Sequence, residues 1–350
     1  MKKVIFALAA VVALAACSKE QTVSFDKGAA IGFDTFVENS TRSVNDPSWS
    51  NTNLFADFGV YGYVENAKLF DNVEVKGSAL NGDWTYTNTQ YWIAGAKYCF
   101  AAIAPKANAK DGVFSVALNG DTYVGTTVLP FTNVNGTNDL LYAQNAQYVA
   151  GASGQNGKVE FNFRHVLSKV KFSFKNDYNA SMATIKVYNV KIHNAYASAT
   201  ATLTKDATTW NSQQGAIVLD FGNASDSEET NGKESVEVAY GYNKTYESLN
   251  ERLLIPGVAT PLTDDVNPGY KVTFDVDLLV NGTKIKTYNH TAYANFEPKA
   301  GNTYDIITSI NATNIDPNAS QDPILFTVTE VNEWDTDYND AADGDNNITM

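Results

Sequence analysis

Cysteine and histidine are scarce in this sequence, with two and three residues among 350. Cys99 lies in an apolar, strand-like run, which predicts a buried and unreactive thiol. His165, His193 and His290 are far apart in the sequence, and none has a partner at metal-ligand spacing, so we expect structural roles for them. If Cys17 is modified as argued below, no internal disulfide can form.

Positively charged residues are fewer than negatively charged ones. The chain has 25 Lys and Arg residues against 39 Asp and Glu residues, which gives a net charge of −14. A chain this acidic repels phosphate backbones, so we expect no nucleic-acid partner. Beyond the N-terminal segment there is no apolar stretch of about 20 residues, and we therefore predict no membrane span in the mature chain.

The motifs of common catalytic sites are missing as well. No Gly-x-Ser-x-Gly element occurs. The stretch 151–158 contains glycines and a lysine, but Val159 follows where a phosphate-binding loop needs Ser or Thr. Residues 335–346 begin like a calcium loop, but Asp340 replaces the required Gly and Asn346 the bidentate Glu. We predict no catalytic residue, metal or cofactor, and no enzymatic activity, although carboxylates that meet only in space would leave no such local pattern.

The N-terminus has the pattern of a bacterial lipoprotein signal. A basic head at residues 1–3 precedes an apolar run at 4–13, and residues 14–17 read Leu-Ala-Ala-Cys. The thiol of Cys17 can take a diacylglyceryl group, and its new amino group a further acyl chain such as palmitate. More than one chain gives lasting membrane attachment. We predict that residues 1–16 are removed and that Cys17 anchors the protein to the membrane.

The remaining sequence has the pattern of a β-protein. It contains 19 Tyr and 18 Phe, and its apolar residues alternate in short runs without a sustained 3.6-residue period. Asn-Gly pairs at 81–82, 119–120 and 281–282 are typical of hairpin turns. We predict an all-β fold with two tandem β-sandwich (transthyretin-like) domains. The expected divisions are a propeptide at 17–42, domains at 43–178 and 179–334, and a flexible acidic tail at 335–350.

One long strand-like region, residues 159–174, changes its alternation near Arg164 and His165. Phe161 and Phe163 share one phase, and Phe172 and other apolar residues share the opposite phase. The change predicts either a β-bulge or a break into two strands.

The propeptide contains a short strand of its own. Residues 31–37 alternate, with Ile31, Phe33 and Val37 on one face. A polar, turn-rich connection follows and contains Arg42, one of only three arginines in the chain.

Several motifs, taken in order, resemble the fimbrillin family, the subunits of type V pili and their relatives. They lie at residues 91–105, 139–143, 163–172, 253–256, 301–304 and 328–334. Pilins of this family are exported as lipoproteins, which agrees with the N-terminal signal.

The resemblance implies a mechanism of assembly. An Arg-specific, trypsin-like protease at the outer membrane would cut between Arg42 and Ser43. The strand with Ile31, Phe33 and Val37 would leave, and a strand of another fimbrial subunit would fill the apolar groove, a case of β-augmentation. The resemblance thus implies a cell-surface fimbrium that contributes to adhesion.

Two alternatives remain open at this point. The apolar residues Ile324, Phe326 and Val328 belong either to a donor strand for the next subunit or to the last strand of their own domain, as in a tip subunit. The protein could also be an outer-membrane glycan-binding lipoprotein, with exposed tryptophans in its site. The candidates are Trp49, Trp84, Trp92 and Trp210.

Overall fold

A computed structural model describes residues 28–37, 55–77, 84–149, 157–178, 183–222, 236–239, 247–248, 250–257, 269–319 and 322–331. Within these ranges the chain forms β-strands and one 3-10 turn at Lys106–Ala109, with no α-helix. The predicted all-β fold class is therefore confirmed. No helix in these ranges could cross a membrane.

The strands in chain order are β1 (Phe33–Val37), β2 (Asp57–Val64), β3 (Ala67–Lys76), β4 (Thr85–Tyr86), β5 (Lys97–Ala104), β6 (Val113–Asn119), β7 (Thr122–Thr132), β8 (Leu141–Val149), β9 (Val159–His165), β10 (Ser168–Asn176), β11 (Ala183–Ala195), β12 (Ser198–Leu203), β13 (Thr208–Gln214), β14 (Ile217–Asp220), β15 (Val236–Ala239), β16 (Glu247–Ser248), β17 (Arg252–Leu254), β18 (Tyr270–Val280), β19 (Thr283–Ala294), β20 (Thr303–Ile310) and β21 (Thr327–Val331).

Two of the predicted hairpins are present. Asn281 and Gly282 join β18 to β19 with φ angles of 50° and 74°, a conformation that Asn and Gly tolerate best. The turn between β6 and β7 contains Gly120 at φ 62°. The third Asn-Gly pair, at 81–82, lies outside the described residues.

The first two sheets share a buried cluster. A seven-stranded sheet has the order β1-β9-β8-β5-β2-β3-β4, and a four-stranded sheet has the order β13-β12-β7-β6. Tyr61 and Ile103 of the large sheet cluster with Phe114, Leu129 and Ala201 of the small one. On β7 and β12 of the small sheet buried residues alternate with more exposed ones, as expected where one face of a sheet is buried, whereas β2 and β5 of the large sheet are buried at almost every position.

The other two sheets form a second layered unit. One contains β16, β10, β20 and β21, with β17 also paired to β10, and the other contains β14, β11, β18 and β19, with β15 paired to β11. Phe172 and Ile306 of the first sheet cluster with Ile185 and Val272 of the second.

Strand pairing crosses the predicted boundary at residue 178. β10 lies before this position but pairs in parallel with β20, and β12 lies after it but pairs with β7. The change of sheet occurs earlier, where β9 ends at His165 and β10 begins at Ser168. The changed alternation near Arg164 therefore marks a break into two strands, the second of the two alternatives. Because β12 and β13 complete the four-stranded sheet, pairing does not separate 43–178 from 179–334.

Candidate functional site

The first strand is an edge of the seven-stranded sheet, and the residues just before it also bond to the segment that follows β4. On one side β1 pairs in parallel with β9, and Val159 N donates to Gly32 O at 2.8 Å. On the other side Ile31 N donates to Gln90 O at 2.9 Å, and Trp92 N donates to Ala29 O at 3.0 Å. We call the space that residues 29–37 occupy between β9 and residues 90–92 the groove.

The side chains of this strand fill the centre of an aromatic cluster. Ile31 and Phe33 are each 1% exposed. Five aromatic rings lie with their centroids 5.4–6.4 Å from that of Phe33, namely Phe58, Phe70, Tyr86, Phe100 and Phe161. Each buried apolar side chain of this size stabilises the fold by roughly 1.5–3 kcal/mol. The strand is therefore integral to the core, and its loss would expose a large apolar surface.

The structure places the predicted residues at alternating positions, with Ile31 just before β1 and Phe33 and Val37 within it. Val37 ends β1 opposite Phe163, and its side chain lies outside the described residues. The same alternation brings Thr35 into the core, which the sequence analysis missed. Thr35 pairs with Phe161 and is 7% exposed, and its Oγ1 has no hydrogen-bond partner among the described residues. A period of two starting from Phe33 would have identified it.

The last described strand lies at a sheet edge. Among the described strands, β21 pairs with β20 alone. Ile324, Phe326 and Val328 are partly buried against the second core, whereas Leu325 is 73% exposed. The Phe326 ring lies 5.6 Å from that of Phe172. The strand thus has one paired edge and partly exposed apolar residues.

Polar contacts attach this strand to β20 and to the loop before it. Glu330 Oε1 accepts hydrogen bonds from Lys299 Nζ at 2.9 Å, Asn302 Nδ2 at 2.6 Å and Tyr304 OH at 3.2 Å. The hydrogen bond from Lys299 lowers the pKa of the Glu330 carboxyl below its usual range. The ionised carboxylate therefore favours the position of β21 beside β20.

The predicted modification sites, Cys17, Arg42 and Ser43, lie outside the described residues. The other two arginines lie in paired strands. Arg164 in β9 donates to Thr204 O at 2.9 Å, and Arg252 in β17 pairs with β10.

The three tryptophans in the described part of the chain do not form an exposed aromatic site. Trp84 and Trp92 are 8% and 2% exposed and belong to the aromatic cluster of the first strand. Trp210 is partly buried, and its Nε1 donates to Val166 O at 2.9 Å. Trp49 lies outside the described residues. The three described candidates of a glycan site are therefore packed side chains.

The histidines and Cys99 lie in separate packed environments. His165 Nδ1 lies 2.7 Å from Asp139 Oδ2, and His193 Nε2 lies 2.7 Å from Thr273 Oγ1. Within the described ranges, no three His, Cys, Asp or Glu side chains could hold a metal ion together. Cys99 is 1% exposed, and burial raises the pKa of its thiol to about 12, which keeps it protonated and unreactive.

Comparison with known proteins identifies the family. A sequence profile described as fimbrillin-like matches residues 41–334, most of the chain. The chain matches no curated protein. It is similar to a candidate cell adhesion protein of Bacteroides ovatus at 14% identity and a TM-score of 0.47, over 88% of this chain and 98% of the other. It is also similar to a candidate cell adhesion protein of Bacteroides uniformis at 16% identity and a TM-score of 0.44, over 87% of this chain and 98% of the other. On the profile match, as the motifs predicted, the chain belongs to the fimbrillin-like family.

Proposed function

We propose that the protein is a structural, non-enzymatic subunit of a cell-surface fimbrium, that it contributes to adhesion, and that subunits join by strand exchange at the groove. Family membership supports the fimbrial role. The observation that carries the exchange is the position of β1. The strand precedes Arg42 in the chain, yet it pairs with β9 and, through the residues just before it, bonds to residues 90–92 after β4. A cut after Arg42 would leave it held by noncovalent contacts alone.

The precursor is a lipoprotein anchored to the outer membrane through Cys17. The signal at residues 1–17 supports this step. The anchor holds the subunit at the surface until its N-terminal segment is removed. The same cut that frees β1 also separates the subunit from its lipid.

An Arg-specific, trypsin-like protease cuts between Arg42 and Ser43. The chain contains three arginines after which such a protease could cut. Arg164 and Arg252 have their backbones in paired strands. A protease must bind its substrate in an extended, accessible form, which favours the turn-rich sequence around Arg42.

Loss of β1 leaves an apolar groove that recruits another strand. Phe58, Phe100 and Phe161, all fully buried, would lose their contact with Phe33. An open sheet edge beside an apolar surface binds extended chains readily. The candidate donor is the segment of Ile324, Phe326 and Val328 from another subunit, because it lies at an edge and is only partly buried. A subunit that keeps this segment in its own sheet would end the fimbrium as a tip.

The cleavage step is tested with Arg42→Ala and the charge-matched Arg42→Lys. Both variants should be exported and fold normally, but should keep their lipid and fail to join a fimbrium. The wild-type protein from fimbriae should begin at Ser43 when its N-terminus is sequenced. If Arg42→Ala joins fimbriae as well as the wild type does, Arg42 is not the maturation site.

The donor is tested with two deletions. Removing residues 335–350 should leave assembly intact, because that acidic tail cannot fill an apolar groove. Removing everything from residue 324 onward should abolish polymerisation if the segment is the donor. If subunits without this segment still polymerise, the donor lies elsewhere.

A further inference from the structure

Thr35 places a hydroxyl group inside the aromatic cluster. Its neighbour across the β1–β9 pair, Phe161, is fully buried, and the rings of Phe33 and Phe163 lie 5.7 Å and 6.0 Å from that of Phe161. Thr35 Oγ1 is buried and has no hydrogen-bond partner in the described part of the chain. A buried hydroxyl without a partner loses its hydration and gains nothing in return, so it weakens the packing of the strand that carries it.

Thr127 shows the contrasting arrangement in the same half of the molecule. It is fully buried on β7, and its Oγ1 lies 2.9 Å from the hydroxyl group of Tyr142. Here the buried hydroxyl is satisfied and contributes to the packing. Both threonines are buried, but only the hydroxyl group of Thr127 has a hydrogen-bond partner, so Thr127 serves as a control for Thr35.

The donor candidate repeats the inward pattern of the first strand without this hydroxyl. Residues 31–35 read Ile-Gly-Phe-Asp-Thr, and residues 324–328 read Ile-Leu-Phe-Thr-Val. Ile and Phe recur at the same spacing of two, and Val328 stands where Thr35 stands. Val has the branched shape of Thr, with a methyl group in place of the hydroxyl group. The match ends after three inward positions, because Glu330 corresponds to Val37.

We infer that Thr35 weakens the binding of β1 to the groove, so that the groove prefers an incoming strand with an aliphatic residue at this position, namely Val328 of a second copy of this chain. The inference rests on the strand exchange proposed above. It adds a reason why the exchange favours replacement of β1 by the incoming strand. The leaving strand carries a buried hydroxyl that the entering strand lacks. The aromatic and aliphatic contacts of Phe33 and Ile31 are reproduced by Phe326 and Ile324.

The first measurement uses the uncleaved precursor with Thr35→Val, and Thr127→Val as control. Thr35→Val should raise the melting temperature by about 2–4 °C and slow hydrogen–deuterium exchange in residues 28–37. Thr127→Val should lower the melting temperature, because it leaves the hydroxyl group of Tyr142 with one partner fewer. If Thr35→Val is no more stable than the wild type, the inference is wrong, whatever happens in assembly.

The second measurement follows strand exchange after cleavage by an Arg-specific protease, with a labelled peptide of residues 322–331 as the probe. Thr35→Val should take up the peptide roughly tenfold more slowly than the wild type, and a Val328→Thr peptide should bind several-fold more weakly. Unchanged uptake by Thr35→Val, or equal binding of the two peptides, overturns the inference while the proposed function stands. If the cleaved wild type neither releases residues 28–37 nor takes up the peptide, the proposed exchange fails and the inference with it.

Discussion

The hydroxyl group of Tyr86 donates a hydrogen bond to the carbonyl oxygen of Ile31 at 2.7 Å. Tyr86 belongs to β4, at one edge of the seven-stranded sheet, and Ile31 precedes β1, at the other edge. The same hydroxyl accepts a hydrogen bond from Gln90 N at 3.1 Å. One side chain thus ties the first strand to the far edge of the sheet.

Tyr86→Phe should loosen the first strand without unfolding the protein. The substitution removes the partly buried hydrogen bond to Ile31 O, worth about 1 kcal/mol, together with the one accepted from Gln90 N, and keeps the ring that packs against Phe33. We expect about fivefold faster hydrogen–deuterium exchange in residues 28–37. Tyr188→Phe, which removes a hydrogen bond to Asp277 on another sheet, is the control and should leave this exchange unchanged. Unaltered exchange in Tyr86→Phe would show that this hydrogen bond does not hold the strand.

Phe33→Ala should be among the most destabilising single substitutions in the chain. The cavity would lie among five aromatic rings, and such losses cost about 3–5 kcal/mol. Urea denaturation measures the change in the free energy of unfolding. The neighbouring Asp34→Ala is the control, because Asp34 lies on the other face with Lys158 at 4.0 Å and should change stability by less than about 0.5 kcal/mol. A similar effect of both variants would contradict a core position for Phe33.

His290 should make the protein less stable at mildly acidic pH. Its ring stacks on Phe274 at 5.0 Å, and burial lowers the pKa of the imidazole, only partly opposed by the backbone of Ile315 and by Asp275 and Asp316. The unfolded chain titrates near the ordinary value of about 6.5. Because the folded pKa is lower, the unfolded state takes up the proton first as pH falls, and stability declines below about pH 6.5.

The test compares urea midpoints at pH 7.5 and pH 5.5. His290→Phe keeps an aromatic ring beside Phe274 and should reduce the loss of stability between the two values. Part of the loss should persist, because the pKa of His193 is lowered as well. Burial is the main cause, and the charges of Lys271 and Lys191 lower this pKa further. An unchanged pH dependence in His290→Phe would rule out His290 as its source.

Glu330→Gln should weaken the attachment of β21 to β20. The variant keeps the shape of the side chain but loses the ion pair with Lys299, which is largely exposed and worth less than about 1 kcal/mol. The pKa of Glu330 is lowered in the folded state, so this contribution is present above its ordinary pKa and is lost as pH falls through the folded value. Hydrogen–deuterium exchange of residues 322–331 should speed up at pH 7. Asp71→Asn, which breaks a surface pair with Lys68 on β3, should not affect that segment.

Cys17→Ala should abolish lipid attachment. Cells labelled with a fatty-acid analogue should incorporate the label into the wild-type precursor and not into the variant. Cys99→Ala is the matched control and should be labelled normally, because its thiol is buried and protonated. Equal labelling of Cys17→Ala and the wild type would contradict the lipoprotein assignment.

Local patterns predicted local structure well in this chain. The Asn281-Gly282 turn was predicted because its conformation depends on two adjacent residues. The alternation of Ile31 and Phe33 likewise indicated a strand with one apolar face, and extending it by two residues would have included Thr35.

Long-range pairing could not be predicted in the same way. β1 pairs with β9 more than 120 residues later, and β12 joins β7 rather than its sequence neighbour β11. Such pairings depend on which edges remain open once the other strands have packed, and no short sequence pattern records that. The burial of Trp84 and Trp92 could not be predicted either, because an aromatic residue next to a turn-rich stretch can point into the core or toward solvent.

The pairing of β12 and β13 with β7 also bears on how the chain folds if it is exported as proposed above. Under that proposal the chain emerges from its secretion channel in sequence order, so β1 is outside long before its partner β9. The four-stranded sheet stays open at β7 until residues 198–214 have followed. By then β10 and β11, which belong to the other pair of sheets, are already outside as well. The two layered units must therefore take shape together, and a fragment that stops at residue 178 would carry Leu129 and Phe131 on an unfinished, aggregation-prone surface.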